Sequence, residues 1–211
     1  MEKNVAVQQS QRILSHFPDI AYNIVAIGAS AGGQTPIIQI LSALPADFPA
    51  AIVIVQHMNP DYKSHLAEIL NRHTALPVQQ AKLGDVLRPG TVYTYVPDRH
   101  IVVNPDGRLS LLNHQKMNFV RPSVDKLFMS VAVSYGLRAI AIILTGLGRD
   151  GALGMTAIKK YGGTTIAQDQ ATSLFFSMPK AAIDTGKVDF VLDPEAIAKT
   201  LIGLVMMESV A

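Results

Sequence analysis

Residues 50–58, AAIVIVQHM, contain six consecutive apolar side chains, most of them β-branched, before a polar residue appears. A strand with one face in water alternates apolar and polar residues. A strand covered on both faces does not, and this pattern belongs to parallel sheets flanked by helices. Ile24–Ile27 and AIAIIL (139–144) repeat it. Each run leads toward a glycine- or proline-punctuated loop and then a segment of helical periodicity. After the first, Ile37, Ile40, Leu41 and Leu44 recur at helical spacing, with Thr35 expected as N-cap and Pro36 as the first helical residue. Leu66, Ile69 and Leu70 mark a helix within 63–73. Ser123 is expected to cap a helix ending near Gly136, and a helix after GLGRDGALG stops at Gly162-Gly163. TTIAQ reads as a further strand, and Asp193 with Pro194 opens a C-terminal helix. Strand, loop and helix in repetition give an α/β fold: a doubly wound, mostly parallel sheet with helices on both faces.

Between Gly84 and Leu112 the pattern changes to short strands, TVYTYV, HIVV and RLSLL. The last two are joined by Asn104-Pro105-Asp106-Gly107, a hairpin turn, so an antiparallel hairpin is expected at one sheet edge. Residues 1–20 are polar with weak periodicity and are expected to be a tail or peripheral helix; residues 21–211 form one domain.

Composition narrows the function. The chain of 211 residues is 49% hydrophobic and 16% charged, with a formal charge of +2. Such a small, scattered positive charge argues against nucleic-acid binding. There is no cysteine, which removes disulfides, a thiolate nucleophile and cysteine metal sites. No signal-peptide pattern opens the chain, and its apolar runs fall short of the roughly 20 residues needed to span a bilayer. A cytoplasmic location without membrane insertion is the expectation.

In doubly wound folds, active sites gather beyond the carboxyl ends of the strands. There the first run delivers Ser30, the second His57, and the third leads to Asp150. A hydroxyl, an imidazole and a carboxylate are the parts of a nucleophilic triad, whatever their chain order. Ser30 also sits in Gly28-Ala29-Ser30-Ala31-Gly32, a G-x-S-x-G match that is weak alone but lies between a strand and a helix, where that motif belongs. The dinucleotide fingerprint fits poorly. Ser30 replaces its second glycine, and Gln56 and His57 stand where the ribose-binding acid should be. Each residue has a plainer role open to it: Ser30 as a helix cap, His57 as a core histidine, Asp150 as a turn residue. His16, His65, His73, His100 and His114 read as surface or structural, and Asp169 and Asp184 as rival acids that follow no glycine loop.

Five motifs in series, IGASAGG, VQHM, RPSVDKLF, ILTGLGRDGALGM and IAQDQATSLFFSMPKAAI, resemble the catalytic domain of the chemotaxis protein-glutamate methylesterases, the CheB type, from about Tyr22 to Leu201. The resemblance implies a cofactor-free, metal-free serine hydrolase that demethylates glutamate γ-methyl esters on the cytoplasmic region of chemoreceptors, and in many members deamidates glutamines. It maps the catalytic triad onto Ser30, His57 and Asp150, and an oxyanion hole onto the backbone N–H groups of Ala31 and Leu147. The best-known members carry threonine and methionine at those two positions, and backbone donors survive the change. RPSVD is expected to line the cleft. Arg121 is placed either against acidic groups flanking the target glutamate or in an internal ion pair. The family archetype has an N-terminal receiver domain, for which the roughly 20 residues ahead of Tyr22 leave no room, so either an excised or stand-alone catalytic unit or control by a separate regulatory or receiver protein is expected. A related esterase or amidase acting on another ester, and a non-catalytic chemosensory binding module, are the alternative readings.

Overall fold

The computed structural model describes residues 20–58, 63–113, 115–117 and 120–206. The three apolar runs become β1 (Ile24–Ala29), β2 (Ala51–Gln56) and β7 (Ala139–Ile143), the middle of a seven-stranded sheet. Every residue of these strands is buried, as sequences without alternation require. Each isoleucine among them contributes about 1.5–3 kcal/mol relative to leaving it in water. The other strands are β3 (Val78–Gln80), β4 (Val92–Thr94), β8 (Thr164–Gln168) and β9 (Phe190–Leu192). The order is β3-β4-β2-β1-β7-β8-β9, and every pairing is parallel.

Helices α1 (Gln34–Ser42), α2 (Leu66–Leu70), α3 (Val124–Tyr135), α4 (Ala152–Lys160), α5 (Ser177–Ile183) and α6 (Pro194–Met206) connect and cover the strands. From β1 the chain winds toward one edge through α1, and from β7 toward the other through α4. Right-handed crossovers in opposite directions put these two helices on opposite faces. Accordingly α1 packs with α6, while α3 packs with α4 and against β1 and β7.

Several local expectations change. Helix α1 begins at Gln34 with Gly33 as its N-cap and no side-chain cap bond, so Thr35 does not cap it and Pro36 lies third in the helix. Helix α2 covers only 66–70 of the expected 63–73. TVYTYV supplies β4 of the main sheet. The hairpin, β5 (His100–Val103) with β6 (Leu109–Leu112), forms its own two-stranded antiparallel sheet, and among the described residues no ladder joins it to the larger one. It is fastened to α3 instead: Ser130 Oγ accepts from the Val103 N–H at 3.0 Å, and Ser134 Oγ donates to the Val103 carbonyl at 2.9 Å. The caps at Ser123 and Asp193 are as expected, accepting from the N–H groups of Lys126 and Ala196. The tail expected over residues 1–20 lies almost wholly outside the described residues.

Two glycines bring the site's helices close. A Cβ on Gly28 would lie 2.3 Å from Val124 Cγ1, so only glycine lets the start of α3 rest on β1. A Cβ on Gly154 would lie 2.5 Å from Phe128 Cβ, which sets the separation of α3 and α4. Replacing a helical glycine by alanine ordinarily gains up to about 1 kcal/mol of propensity. At Gly154 the blocked atom is the stem of Phe128, which cannot swing away, and overpacking costs about 1–3 kcal/mol. Gly154→Ala should therefore lower stability, measured by urea unfolding. Gly203→Ala in α6, where a Cβ meets nothing within 4 Å, should raise it by about 0.5–1 kcal/mol. A stabilised Gly154→Ala would disprove the close-approach account.

Candidate active site

The winding direction changes between β1 and β7, and there the crevice beyond the strand ends is open. Ser30 follows β1 directly. Its N–H donates to the Thr145 carbonyl beyond β7 at 3.1 Å, and its carbonyl accepts from the Gly33 N–H at 3.0 Å. Gly32 takes φ +76°, and a Cβ on Gly33 would lie 2.5 Å from Ala29 Cβ. The result is a tight turn that leaves Ser30 half-buried at the sheet edge. On the neighbouring strand, the His57 N–H donates to the Ala29 carbonyl at 2.9 Å. His57 Nε2 lies 2.8 Å from Asp150 Oδ2, with the two side chains 13% and 4% exposed. His57 and Asp150 thus meet at the sheet edge where Ser30 follows the adjacent strand. Ser30 does not cap α1, and the His57 ring bonds a carboxylate rather than a backbone carbonyl.

Asp150 is held from several sides. Besides His57, it accepts from the N–H groups of Val124 at 2.7 Å and Asp125 at 3.0 Å, and from Ser123 Oγ at 2.9 Å. These are free donors of the first turn of α3, where negative charge is favoured. Burial pushes the Asp150 carboxyl upward, but the bonds from His57 and from the Asp125 and Val124 N–H groups outweigh it and hold it below the usual carboxylate range. An ionised Asp150 accepts only, so His57 Nε2 carries the proton and Nδ1 is the basic nitrogen.

Asp125 is fully buried beside it. Its Oδ1 accepts from the N–H groups of Gly151 and Gly154, both at 2.8 Å. Burial, with the Asp150 charge adding to it, raises the Asp125 carboxyl to about 6. His100, expected to be structural, is buried and bridges the Gln115 carbonyl through Nε2 at 3.1 Å and the Ser123 N–H through Nδ1 at 3.2 Å. Burial lowers its pKa, so the ring is neutral and holds Ser123 in place.

The N–H groups of Ala31 and Leu147 have no acceptor among the described residues. Both belong to trans peptides whose carbonyls are fixed on the other side: Ser30 O by the Gly33 N–H, and Gly146 O by the Met178 N–H at 3.0 Å and Ser177 Oγ at 2.9 Å. In a planar trans peptide the N–H points opposite to the C=O, so both donors are turned away from those anchors. Gly146 lies against the serine, since a Cβ there would be 2.7 Å from Ser30 Cβ. Thr145 ties the two loops together: its Oγ1 lies 3.3 Å from the Ala31 carbonyl and accepts from the Phe175 N–H at 2.8 Å. Buried Gln168 accepts from the Thr145 N–H at 2.8 Å. Thr145, Gln168 and Asp125 were not singled out from sequence, although each lies in one of the five motifs that were.

Arg121 reaches Asp98 Oδ1 through Nη2 at 2.6 Å and Nε at 2.7 Å, forming an internal ion pair. His65 pairs with Glu68 on the surface, and His16 and His114 lie outside the described residues. Leu147 and Leu174, 57% and 71% exposed, give the rim an apolar character. A cavity of about 750 Å³ opens behind Gly32 between the starts of α1 and α6, and it touches neither Ser30 nor His57. Among the described residues no group of three or more His, Cys, Asp or Glu could hold a metal ion, and no helix is long and apolar enough to cross a membrane.

Fold and site together define a doubly wound α/β protein with a serine, a histidine and an aspartate collected where its sheet reverses direction. Comparison with known proteins narrows that class. The chain belongs to the CheB methylesterase family, whose sequence model matches residues 25–201. It is 48% identical over 179 residues to a protein-glutamate methylesterase/protein-glutamine glutaminase of Burkholderia lata, covering 85% of this chain and 53% of that one. A Moorella thermoacetica protein of the same description is 44% identical over 186 residues, covering 86% and 44%. The chain thus spans about half the length of these relatives. Among solved structures, the Thermotoga maritima CheB methylesterase catalytic domain superposes with a TM-score of 0.84 at 41% identity, covering 87% of this chain and 98% of that one.

Two outcomes are expected. A Gly146→Ala side chain would meet Met178 Sδ at 2.4 Å as well as Ser30, so the loop must move. A shift near 1 Å at a reacting group costs on the order of 100-fold, so if Ser30 is the nucleophile its acylation by an activated ester should slow by that order. Unchanged acylation would mean the loop does not set the serine's position. The second concerns pH. Asp150, held low, contributes stability above the ordinary Asp range near pH 4 that disappears as pH falls through its native value. Asp125, raised, does the reverse: its contribution is complete below about pH 4 and is lost as pH rises through about 6. Wild type should therefore lose stability relative to Asp125→Asn between about pH 4 and 7, followed by urea unfolding. Parallel curves would mean that Asp125 titrates normally.

Proposed function

We propose that this chain hydrolyses glutamate γ-methyl esters, and deamidates glutamines, on the cytoplasmic region of chemoreceptors, with Ser30, His57 and Asp150 as its catalytic residues. The observation that carries the reading is the 2.8 Å bond to a buried, ionised Asp150 from Nε2 of His57, which follows the strand beside Ser30's. The relatives' descriptions supply the substrate class.

His57 Nδ1 takes the proton of the Ser30 hydroxyl as the oxygen attacks the ester carbonyl. The oxyanion accepts from the Ala31 and Leu147 N–H groups, and Asp150 stabilises the imidazolium. The tetrahedral intermediate collapses, and methanol leaves with the proton from His57. Water, deprotonated by the same nitrogen, cleaves the acyl-enzyme to free glutamate and restores Ser30. A glutamine follows the same course with ammonia as leaving group. Arg121, engaged by Asp98, is assigned to shaping the cleft wall rather than to holding substrate.

The test is methanol release from methylated chemoreceptor membranes by wild type and by Ser30→Ala. Wild type should release methanol, and the variant should fall to background. No release by wild type would remove the substrate assignment, and equal release would remove Ser30 as nucleophile.

A further inference from the structure

Asp125 and Asp150 each serve the helix that the other precedes or opens. Asp150 stands just before α4, yet its carboxylate accepts from Ser123 Oγ and the Val124 and Asp125 N–H groups at the start of α3. Asp125 is the second residue of α3, yet its carboxylate accepts from the Gly151 and Gly154 N–H groups at the start of α4. The exchange closes a ring: the Asp125 N–H binds the Asp150 side chain, and the Gly151 N–H binds the Asp125 side chain.

The Gly151 N–H belongs to the peptide that carries Asp150's own carbonyl. Asp125 therefore grips the main chain of Asp150 while the start of α3 grips its carboxylate. Gly151 is held at φ +102°, and a Cβ there would lie 2.3 Å from Ile143 Cδ1, so the segment has little room to relax. The Asp150 charge also bears on the Asp125 carboxyl and helps to raise it. Burying a second acid beside the first is costly, and an apolar residue would fill the space at lower electrostatic cost. What an apolar residue would not supply is an acceptor for the two N–H groups that fix where Asp150 begins.

We propose that Asp125 is a positioning residue, which keeps Asp150 Oδ2 on His57 Nε2 by anchoring the Asp150–Gly151 peptide. It rests on the reading of Asp150 as the triad's carboxylate, and it predicts that an equivalent acceptor will substitute. In Asp125→Asn, Oδ1 can accept from both glycines and Nδ2 can donate to Asp150. In Asp125→Ala nothing does.

The experiment follows phosphonylation of Ser30 by a fluorophosphonate probe, together with the downfield proton NMR signal of the His57–Asp150 bond and near-UV circular dichroism for folding. Displacements near 1 Å are costly at such sites, so folded Asp125→Ala should react at least about tenfold more slowly and lose the signal, while Asp125→Asn stays within about threefold and keeps it. A folded Asp125→Ala with wild-type rate and intact signal overturns the proposal. So does an Asp125→Asn as impaired as Asp125→Ala, because the acceptor should rescue. Should Asp125→Ala not fold, Asp125→Ser, too short to bridge both glycines, is read in the same way. Phosphonylation needs no receptor, so normal labelling with no methanol release would count against the substrate reading alone.

Discussion

The double pairing of β1 is the constraint on which the site depends. Gly28 stands level with Val55 on one side and Ile143 on the other, and Ala29 with Gln56. That register puts the residues after the three strands at one height. A slip of one residue would turn His57 to the opposite face. Burial on both faces fixes the register, because any slip would also misplace a full set of isoleucines and valines. Core packing and site geometry are here the same fact.

Close approach comes next, and glycine provides it. Without a side chain at Gly28, α3 can start against the strand, and its first N–H groups arrive beside Asp150. Without one at Gly146, the loop after β7 can touch Ser30. Glycines after a strand commonly admit a ligand's phosphates to the backbone. In this chain they admit other parts of the protein: Val124 at Gly28, and Met178 and Ser30 at Gly146.

Much of this was legible in the chain because its signals are local. Continuous apolar runs mark β1, β2 and β7, and Ser30 and His57 are the residues that follow two of them, with Asp150 in the loop after the third. The edge strands β3 and β9 carry three residues each and no buried pattern, so nothing local distinguishes them from loop. Pro36 misled on the start of α1 because the whole first helical turn lacks intrahelical N–H partners, and proline is therefore tolerated beyond its first position. Asp125, Thr145 and Gln168 escaped notice for a different reason. Each acts through a partner distant in sequence, such as Gly151 for Asp125 or Ala31 for Thr145, and no periodicity reports such a meeting.

The two acids show how neighbouring carboxyls acquire different behaviour. Both are buried and both accept backbone N–H groups, yet one is held low and the other raised to about 6. Desolvation is the leading influence on each and acts upward on both. The difference lies in what opposes it. Asp150 has the His57 ring in addition to the opening donors of α3, a combination strong enough to reverse the sign. Asp125 has two N–H groups and, against them, the charge of Asp150. The ion favoured at one position thus raises the other, and below about pH 6 the buried pair need not carry two full charges. Paired carboxyls pushed apart in this way take separate roles. Here the ionised one faces the imidazole and sets its tautomer, leaving Nδ1 basic, while the other faces the backbone and holds the ionised one in place.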